Sequence, residues 1–169
     1  MISFSSRLRK FNSRVVFDSY RMPTIEQAFE QFGGATVFTV LDLNSAYYQI
    51  PLSNKSRRVT AFSTPFGLFE FHKLPMGISV GCQSLSRLIK GLFSDLRGKY
   101  LFNFLKDLVV YSRSVAEHVA HVREVLVRLQ AVGFTLNQDK VTFVAPEIKY
   151  LGHVLLCRGI RLLPIGWRP

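Results

Sequence analysis

Two aspartates that are far apart in the sequence stand where metal-assisted phosphoryl chemistry could occur. Asp42 lies near the C-terminal end of the β-branched and aromatic run TVFTVLDL, and Asp107 follows Lys106 in YLFNFLKDLVVYS. Mg²⁺ prefers carboxylate oxygens, and two ions about 4 Å apart can activate a 3′-hydroxyl and stabilise a leaving pyrophosphate. The spacing alone also allows a purely structural interpretation, in which Asp42 caps a turn and Asp107 is an ordinary hairpin residue.

The elements around these aspartates can be predicted from residue patterns. Thr36 to Leu43 indicates a strand, and the runs YLFNFL and LVVYS are so close that only a tight hairpin can join them. Apolar residues at helical spacing predict three helices. The first helix runs from Thr24 to Gly33, and Gln27 has capping-box spacing from Thr24. The second contains Leu85, Leu88, Ile89 and Leu92 and ends near Gly98. The third runs from Ser114 to Gly133 and has on one face Val115, Val119, Val122, Leu126 and Leu129.

With IKYLGHVLLC as the last strand, the principal elements follow the order strand, helix, strand, strand, helix, strand. This order is typical of the split βαβ, or ferredoxin-like, α+β sheet. A right-handed crossover makes the first two strands parallel and inserts the third between them in the antiparallel direction. We therefore expect Asp42 and Asp107 to meet at one edge of the sheet.

Composition narrows the class of protein. The chain has 169 residues, of which 48% are apolar, enough for one sizeable core, and its net charge of +11 favours a polyanionic partner such as nucleic acid. Basic clusters around Arg7 to Arg14 and Lys55 to Arg58 could also be solvated faces. Cys82 and Cys157 lack disulfide or zinc spacing, and His118 and His121 are expected to be solvated. No membrane-length apolar run or signal peptide is evident, so we expect no membrane partner and an intracellular location.

The motifs resemble the reverse transcriptase domain of gypsy-type LTR retrotransposon Pol polyproteins over nearly the whole chain. TVFTVLDLNSAYYQIPL is similar to the family's first catalytic motif, and TAFSTPFGLFEFHKLPMG resembles its fingers strands and second motif. FNFLKDLVVYS resembles the third motif, where the family has two adjacent aspartates. GFTLNQDKVTF and IKYLGHVLLCRGI are similar to the fourth motif and the primer grip. The resemblance implies an RNA-directed DNA polymerase that uses Mg²⁺, a dNTP, an RNA or DNA template and a DNA primer.

The resemblance also implies residue roles. Asp42 and Asp107 would be the catalytic and metal-binding carboxylates, and Tyr47 would contact the incoming sugar and exclude a 2′-hydroxyl. Pro75, Met76 and Gly77 would lie beside the nucleotide and template, and Lys140 near the triphosphate. Leu151, Gly152 and His153 would form the primer grip. Ordinary packing at Tyr47, a solvated loop at Lys140 and a strand with a glycine bulge at Gly152 are the structural alternatives.

The departures from the family pattern indicate that catalysis is impaired. Lys106 stands where the family has the first motif-three aspartate, so an ammonium replaces a carboxylate, a change of two charge units. A unit charge pair 4 Å apart is worth about 4 kcal/mol at an effective dielectric constant of 20. Cys82 and Ser86 replace the usual proline and glutamine, and Arg21 stands where proline is common. We expect metal binding to be weakened and most or all polymerase activity to be lost.

These observations predict one reverse transcriptase-like fragment with a ferredoxin-like polymerase palm, partial fingers and no thumb. Residues 1–35 and 51–70 are predicted to be fingers-like, 36–50 and 71–160 palm-like, and 161–169 an unmatched tail. The alternative function is a non-catalytic nucleic-acid-binding or interaction module derived from this fold. A nucleotide cyclase-like palm is disfavoured because LPMG and YLGH have no role there.

Overall fold

The computed structural model describes residues 11–16, 30–156 and 159–162. The chain begins its central sheet with β1 (Val37–Asp42), followed by a short 3-10 helix (Ala46–Gln49), α1 (Asn54–Val59) and the hairpin β2 (Phe62–Thr64) and β3 (Gly67–Phe69). Next come α2 (Gly81–Phe93), β4 (Leu101–Phe104), β5 (Asp107–Ser112) and α3 (Val115–Ala131). A second 3-10 helix (Gln138–Lys140) precedes β6 (Thr142–Ala145), β7 (Glu147–Tyr150), β8 (His153–Leu156) and β9 (Gly159–Leu162).

The central sheet has four strands in the order β4, β5, β1, β6, and all its neighbouring strands are antiparallel. Since β5 lies antiparallel between β1 and β4, those two strands run parallel, as the sequence predicted. The strand that pairs with the outer side of β1 is β6, and IKYLGHVLLC, the last strand of the predicted ferredoxin-like order, lies outside this sheet. That segment instead forms β7 and β8 of a separate three-stranded sheet. The physical reason is the tight turn at 151–152, which folds the segment back on itself.

The sheet buries apolar side chains on both faces because strand residues alternate in direction. On one face, Leu41 and Leu108 pack with residues of α2 and α3, among them Ile89, Val125 and Leu129. On the other face, side chains of the sheet pack against the β7–β8 hairpin. That second cluster contains Phe32, Phe38, Phe102, Val109, Tyr111, Ile148, Tyr150 and Leu155. Asp42 points to the same side of β1 as Phe38, and Asp107 points to the same side of β5 as Val109. Both aspartates therefore lie on the face covered by the β7–β8 hairpin.

Helix α3 starts at the predicted position but presents a different face to the core. Ser114 is its N-cap, and the Ser114 side chain accepts a hydrogen bond from the backbone N–H of Glu117. The core-facing residues are His118, Val122, Val125 and Leu129, whereas Val115 and Val119 are half exposed. The prediction is confirmed for Val122 and Leu129 and wrong for Val115 and Val119, because the buried side chains in the first half of the helix are His118 and Val122.

Several predictions fall partly or wholly outside the described residues. They are the helix start and capping residues Thr24 and Gln27, the first basic cluster apart from Arg14, Arg21, Cys157, the fingers-like range 1–35 and the tail 161–169. Within the described part of the chain, no helix is long and apolar enough to cross a membrane.

Candidate active site

Asp42 and Asp107 are direct cross-strand partners at the end of the β1–β5 ladder. Their carboxyl groups are in hydrogen-bond contact, and Asp42 is buried. The hairpin and the first strand meet at one edge of the sheet, as the topology required. Asp107 therefore lies opposite Asp42 across the ladder, as the sequence predicted.

The environment of Asp107 favours its protonated form. Burial is the main reason that the pKa of Asp107 rises from 3.8 to about 6, and the neighbouring Asp42 contributes through its negative charge and the shared hydrogen bond. The positive charges of Lys106 and Lys140 act in the opposite direction and limit the rise. Two carboxylates in contact cannot both ionise without cost, so a positive charge is needed nearby.

Lys106 supplies such a charge from the two-residue turn between β4 and β5. Its ammonium nitrogen donates a hydrogen bond to Asp42 Oδ2 and forms an ion pair with that carboxylate. The backbone holds Lys106 in place, because the Leu43 N–H donates to the Lys106 carbonyl at 3.2 Å. Leu105, the other turn residue, has a φ of 53°, which is unfavourable for a bulky side chain. The turn thus keeps a strained backbone while presenting the ammonium to Asp42.

These side chains do not fit a two-metal centre. Among residues 11–16, 30–156 and 159–162, no group of three or more carboxylate, histidine or cysteine side chains is placed to hold an ion. The two carboxylates that meet are accompanied by an ammonium, which would repel a divalent cation. The donor set at this edge of the sheet therefore suits one internal positive charge better than two Mg²⁺ ions.

Tyr47 lies in the first 3-10 helix, next to the start of α2. Its hydroxyl shares a hydrogen bond of 3.1 Å with the Cys82 thiol, and its ring lies against Gly81, where a Cβ would come within 3.6 Å of the ring carbons. Burial, with smaller contributions from Cys82, raises the pKa of Tyr47 to about 12, so the hydroxyl stays protonated. Tyr47 is therefore held by contacts with two α2 residues, Gly81 and Cys82.

The segment from Pro75 to Gly77 forms a turn ahead of α2. Pro75 is buried, Met76 is exposed, and Gly77 has a φ of 93° that a residue with a side chain rarely adopts. The Asn12 side chain fastens this turn: its Nδ2 donates to the Gly77 carbonyl at 2.7 Å, and its Oδ1 accepts from the Ser79 N–H at 2.9 Å. Sequence reasoning missed Asn12, because nothing in its neighbourhood signals a contact 65 residues away.

Lys140 is tied to the carboxylate pair through the backbone. The Asn137 N–H donates to the Asp42 carbonyl at 2.8 Å, and the second 3-10 helix begins immediately after Asn137. This connection brings the exposed Lys140 close enough for its charge to act on Asp107. Lys140 is thus the second positive charge at this edge of the sheet.

Leu151 and Gly152 form the tight turn that joins β7 and β8. Both have positive φ angles, 48° and 78°, as in a type I′ hairpin, so the structural alternative of a strand with a glycine bulge is wrong, and the primer-grip role stays a prediction. The Nδ1–H of His153 donates to the Leu151 carbonyl at 2.9 Å. Tyr150, at the base of this turn, is buried. Its burial raises the pKa of its hydroxyl, and the negative charge of Asp107 makes a smaller contribution in the same direction. The hairpin therefore reaches the vicinity of the carboxylate pair.

A buried polar network lies on the opposite face of the sheet and was not anticipated. His118 was expected to be solvated, but it is completely buried, with Nε2 2.7 Å from Thr39 Oγ1 and Nδ1 2.8 Å from Ser112 Oγ. His121 Nδ1 lies 2.9 Å from the same Ser112 hydroxyl, and its ring stacks on Tyr100 at 3.7 Å. The prediction was wrong because the hydroxyl partners come from two distant strands.

Comparisons with known proteins give a consistent result. The sequence profile of a family described as reverse transcriptase (RNA-dependent DNA polymerase) matches residues 2–155. The chain is 31% identical over 156 residues to the retrovirus-related Pol polyprotein from transposon gypsy of Drosophila melanogaster, covering 92% of this chain and 15% of that protein. It is also 31% identical over 151 residues to the transposon Tf2-3 polyprotein of Schizosaccharomyces pombe, covering 89% of this chain and 11% of the polyprotein. The chain thus spans less than a sixth of these relatives.

Solved structures show a similar fold at low sequence identity. The structure of a foamy viral protease-reverse transcriptase in complex with double-stranded DNA matches 94% of this chain and 28% of that chain, with a TM-score of 0.84 and 18% identity. The same viral protein in complex with an RNA/DNA hybrid matches 92% of this chain and 21% of that chain, with a TM-score of 0.82 and 18% identity. At this identity the likeness concerns the fold.

Proposed function

This chain belongs to the reverse transcriptase (RNA-dependent DNA polymerase) family, with retrotransposon Pol polyproteins among its relatives, and we propose that it is a polymerase palm with partial fingers that has lost most or all DNA synthesis. In this proposal residues 36–50 and 71–160 are the palm, residues 1–35 and 51–70 belong to the fingers, and 161–169 is a tail. The observation that carries the loss of activity is the ion pair between Lys106 and Asp42.

The electrostatic free energy that changes with a lysine at position 106 is large compared with the free-energy differences that alter catalytic rates. An ammonium in place of a carboxylate turns an attraction for a divalent cation into a repulsion, and each unit charge pair at 4 Å is worth about 4 kcal/mol at a dielectric constant of 20. A tenfold change in rate requires only about 1.4 kcal/mol. Even strongly screened, the substitution therefore supports a loss of several orders of magnitude.

The remaining contacts support binding of nucleic acid and nucleotide. We assign the template and primer to the β7–β8 turn at Leu151, Gly152 and His153, and the incoming dNTP to Tyr47, Lys140 and the Pro75–Gly77 turn. The Tyr47 hydroxyl contacts Cys82 and the Asn12 side chain holds the turn at Gly77, so both groups are positioned by contacts within the protein. The net charge of +11 provides the electrostatic attraction that a polyanionic template requires.

The alternative function, a non-catalytic nucleic-acid-binding module, is favoured by one specific surface. Helix α1 carries Lys55, Arg57 and Arg58 and buries none of its residues. The neighbouring β2–β3 hairpin exposes Phe66 and Phe69. Basic and aromatic side chains in one region are typical of single-stranded nucleic-acid binding by charge and base stacking.

Primer extension on RNA and DNA templates with Mg²⁺ or Mn²⁺ tests the proposal. We expect no product from the wild-type chain, and measurable template-dependent extension would refute the assigned loss. Lys106→Asp should raise Mg²⁺ affinity, measured by isothermal titration calorimetry. Lys99→Asp makes the same change of charge at an exposed position before β4 and should leave Mg²⁺ affinity unchanged. No gain in Lys106→Asp would mean that more than the charge at 106 prevents metal binding.

A further inference from the structure

The Lys106 ammonium is placed to serve two partners at once. It is paired with Asp42, yet its side chain is 39% exposed while that of Asp42 is only 10% exposed. An ammonium has three hydrogen-bond donors, and one of them is used by Asp42 Oδ2. Within the described part of the chain the other two have no hydrogen-bond partner, so they are available to an anion that approaches the carboxylate pair from solvent.

The formal charges around the pair balance without any bound ion. Asp42 and Asp107 contribute two negative charges, and Lys106 and Lys140, the two cations whose charges act on Asp107, contribute two positive charges. With a carboxylate at 106 the same group would carry a net charge of minus two, which repels phosphate until a divalent cation is bound. The residue at 106 therefore decides whether an anion can approach this edge of the sheet in the absence of metal.

The backbone makes this arrangement a fixed part of the fold. Asp42 and Asp107 are register partners, and the Leu43 N–H to Lys106 carbonyl bond continues the ladder into the turn. The Asn137 N–H to Asp42 carbonyl bond holds the segment carrying Lys140 against the same strand. The two cations are thus positioned by main-chain hydrogen bonds, independently of any ligand.

We propose that Lys106 replaces a divalent cation as the counterion of the carboxylate pair, so that the chain binds the 3′ end of a primer on its template without metal. This inference rests on the proposed function, since it assumes that the same edge of the sheet receives the primer terminus. The ligand is a phosphodiester backbone, recognised by the Lys106 ammonium with support from Lys140. Metal-independent binding is then a property of this site, while the rest of the basic surface adds sequence-independent attraction.

Binding of a fluorescent template–primer duplex with a 3′-dideoxy end tests the inference by anisotropy. Affinity is measured in EDTA and in Mg²⁺ at equal ionic strength for wild type, Lys106→Asp, Lys106→Gln and the charge-matched control Lys99→Asp. Wild type and Lys99→Asp should bind as well in EDTA as in Mg²⁺. Lys106→Asp should bind roughly tenfold or more weakly in EDTA and recover in Mg²⁺. Lys106→Gln, which is close to lysine in size, should show an intermediate loss that Mg²⁺ does not repair.

The outcomes distinguish a failure of the proposed function from a failure of the counterion role of Lys106. If wild type fails to bind the duplex under any condition at low salt, the proposed function itself fails. If wild type binds but requires Mg²⁺, nucleic-acid binding stands and the counterion role of Lys106 is overturned. Equal affinity of Lys106→Gln and wild type in EDTA would also overturn it. Circular dichroism of each variant shows whether a loss reflects unfolding, and in that case the glutamine variant decides.

Discussion

Replacing Asp107 by asparagine should stabilise the protein at neutral pH and have little effect in acid. Asparagine keeps the shape and the hydrogen-bonding capacity of the side chain but removes its charge. The reason for a gain is the burial of Asp107, together with its contact with Asp42, which holds the pKa of Asp107 at about 6 in the folded protein against 3.8 for the isolated group. The native fold therefore works against ionisation of this carboxyl.

The sign and size follow from proton linkage. Below pH 3.8 Asp107 is protonated in the folded and unfolded states, so it costs nothing. Between pH 3.8 and about 6 the unfolded chain releases the proton first, and folding stability falls as the pH rises. Above that range the loss is constant at up to about 3 kcal/mol, and partial exposure to solvent reduces it to roughly 1–2 kcal/mol. Asp107→Asn should recover that amount at pH 7.5.

Urea unfolding at a series of pH values from 4 to 8 measures the free energy of unfolding of both proteins. The matched control is Asp139→Asn, which removes an exposed carboxylate from the second 3-10 helix. The expected result is a difference between Asp107→Asn and wild type that grows through pH 4 to 6 and then levels off, with a flat profile for the control. A pH-independent difference, or a destabilised Asp107→Asn at pH 7.5, would show that the carboxyl pair is not under the strain described.

Four further predictions concern stability and use the same urea assay. His118→Ala should cost about 2–4 kcal/mol, because it removes one buried hydrogen-bond partner from each of the Thr39 and Ser112 hydroxyls and leaves a cavity beside the sheet. Burial holds the pKa of His118 below 6.5, so wild-type stability should fall as the pH drops below 6.5, and His118→Gln should flatten that fall. Leu105→Gly should stabilise by up to about 1 kcal/mol by relieving the positive φ, whereas an unchanged midpoint would contradict strain in the turn. Lys106→Met should destabilise by about 1–2 kcal/mol by leaving Asp42 unpaired, and addition of Asp42→Asn should reverse most of that loss.

The parts of the fold that depend on local pattern were readable from the sequence. The Thr36 to Leu43 run became β1, Ser114 became the cap of α3, and the shortness of the link between YLFNFL and LVVYS required a hairpin. Connection rules then brought Asp42 and Asp107 to one edge without any structural knowledge. These features were predictable because each is decided by neighbours in the chain or by the handedness of a single crossover.

Contacts between polar groups that are distant in the chain could not be predicted from local sequence patterns. His118 looked like a surface residue because its neighbours in the helix are charged, and only the fold brings the hydroxyls of Thr39 and Ser112 to its two ring nitrogens. The displacement of IKYLGHVLLC from the central sheet has a similar cause. Its turn residues Leu151 and Gly152 both adopt positive φ, and the sequence signals this only for the glycine.

Folding and catalysis place different demands on the same edge of the sheet. Asp42 is buried and would be costly as an isolated charge, so the fold requires a positive partner there whether or not chemistry occurs. Lys106 meets that requirement from within the chain through its ion pair. A polymerase needs the positive charge to be an exchangeable divalent ion, which a tethered ammonium cannot be. In the function proposed above, Lys106 therefore supplies the positive charge that the fold needs but not the exchangeable ion that DNA synthesis needs, so the architecture can persist without that chemistry.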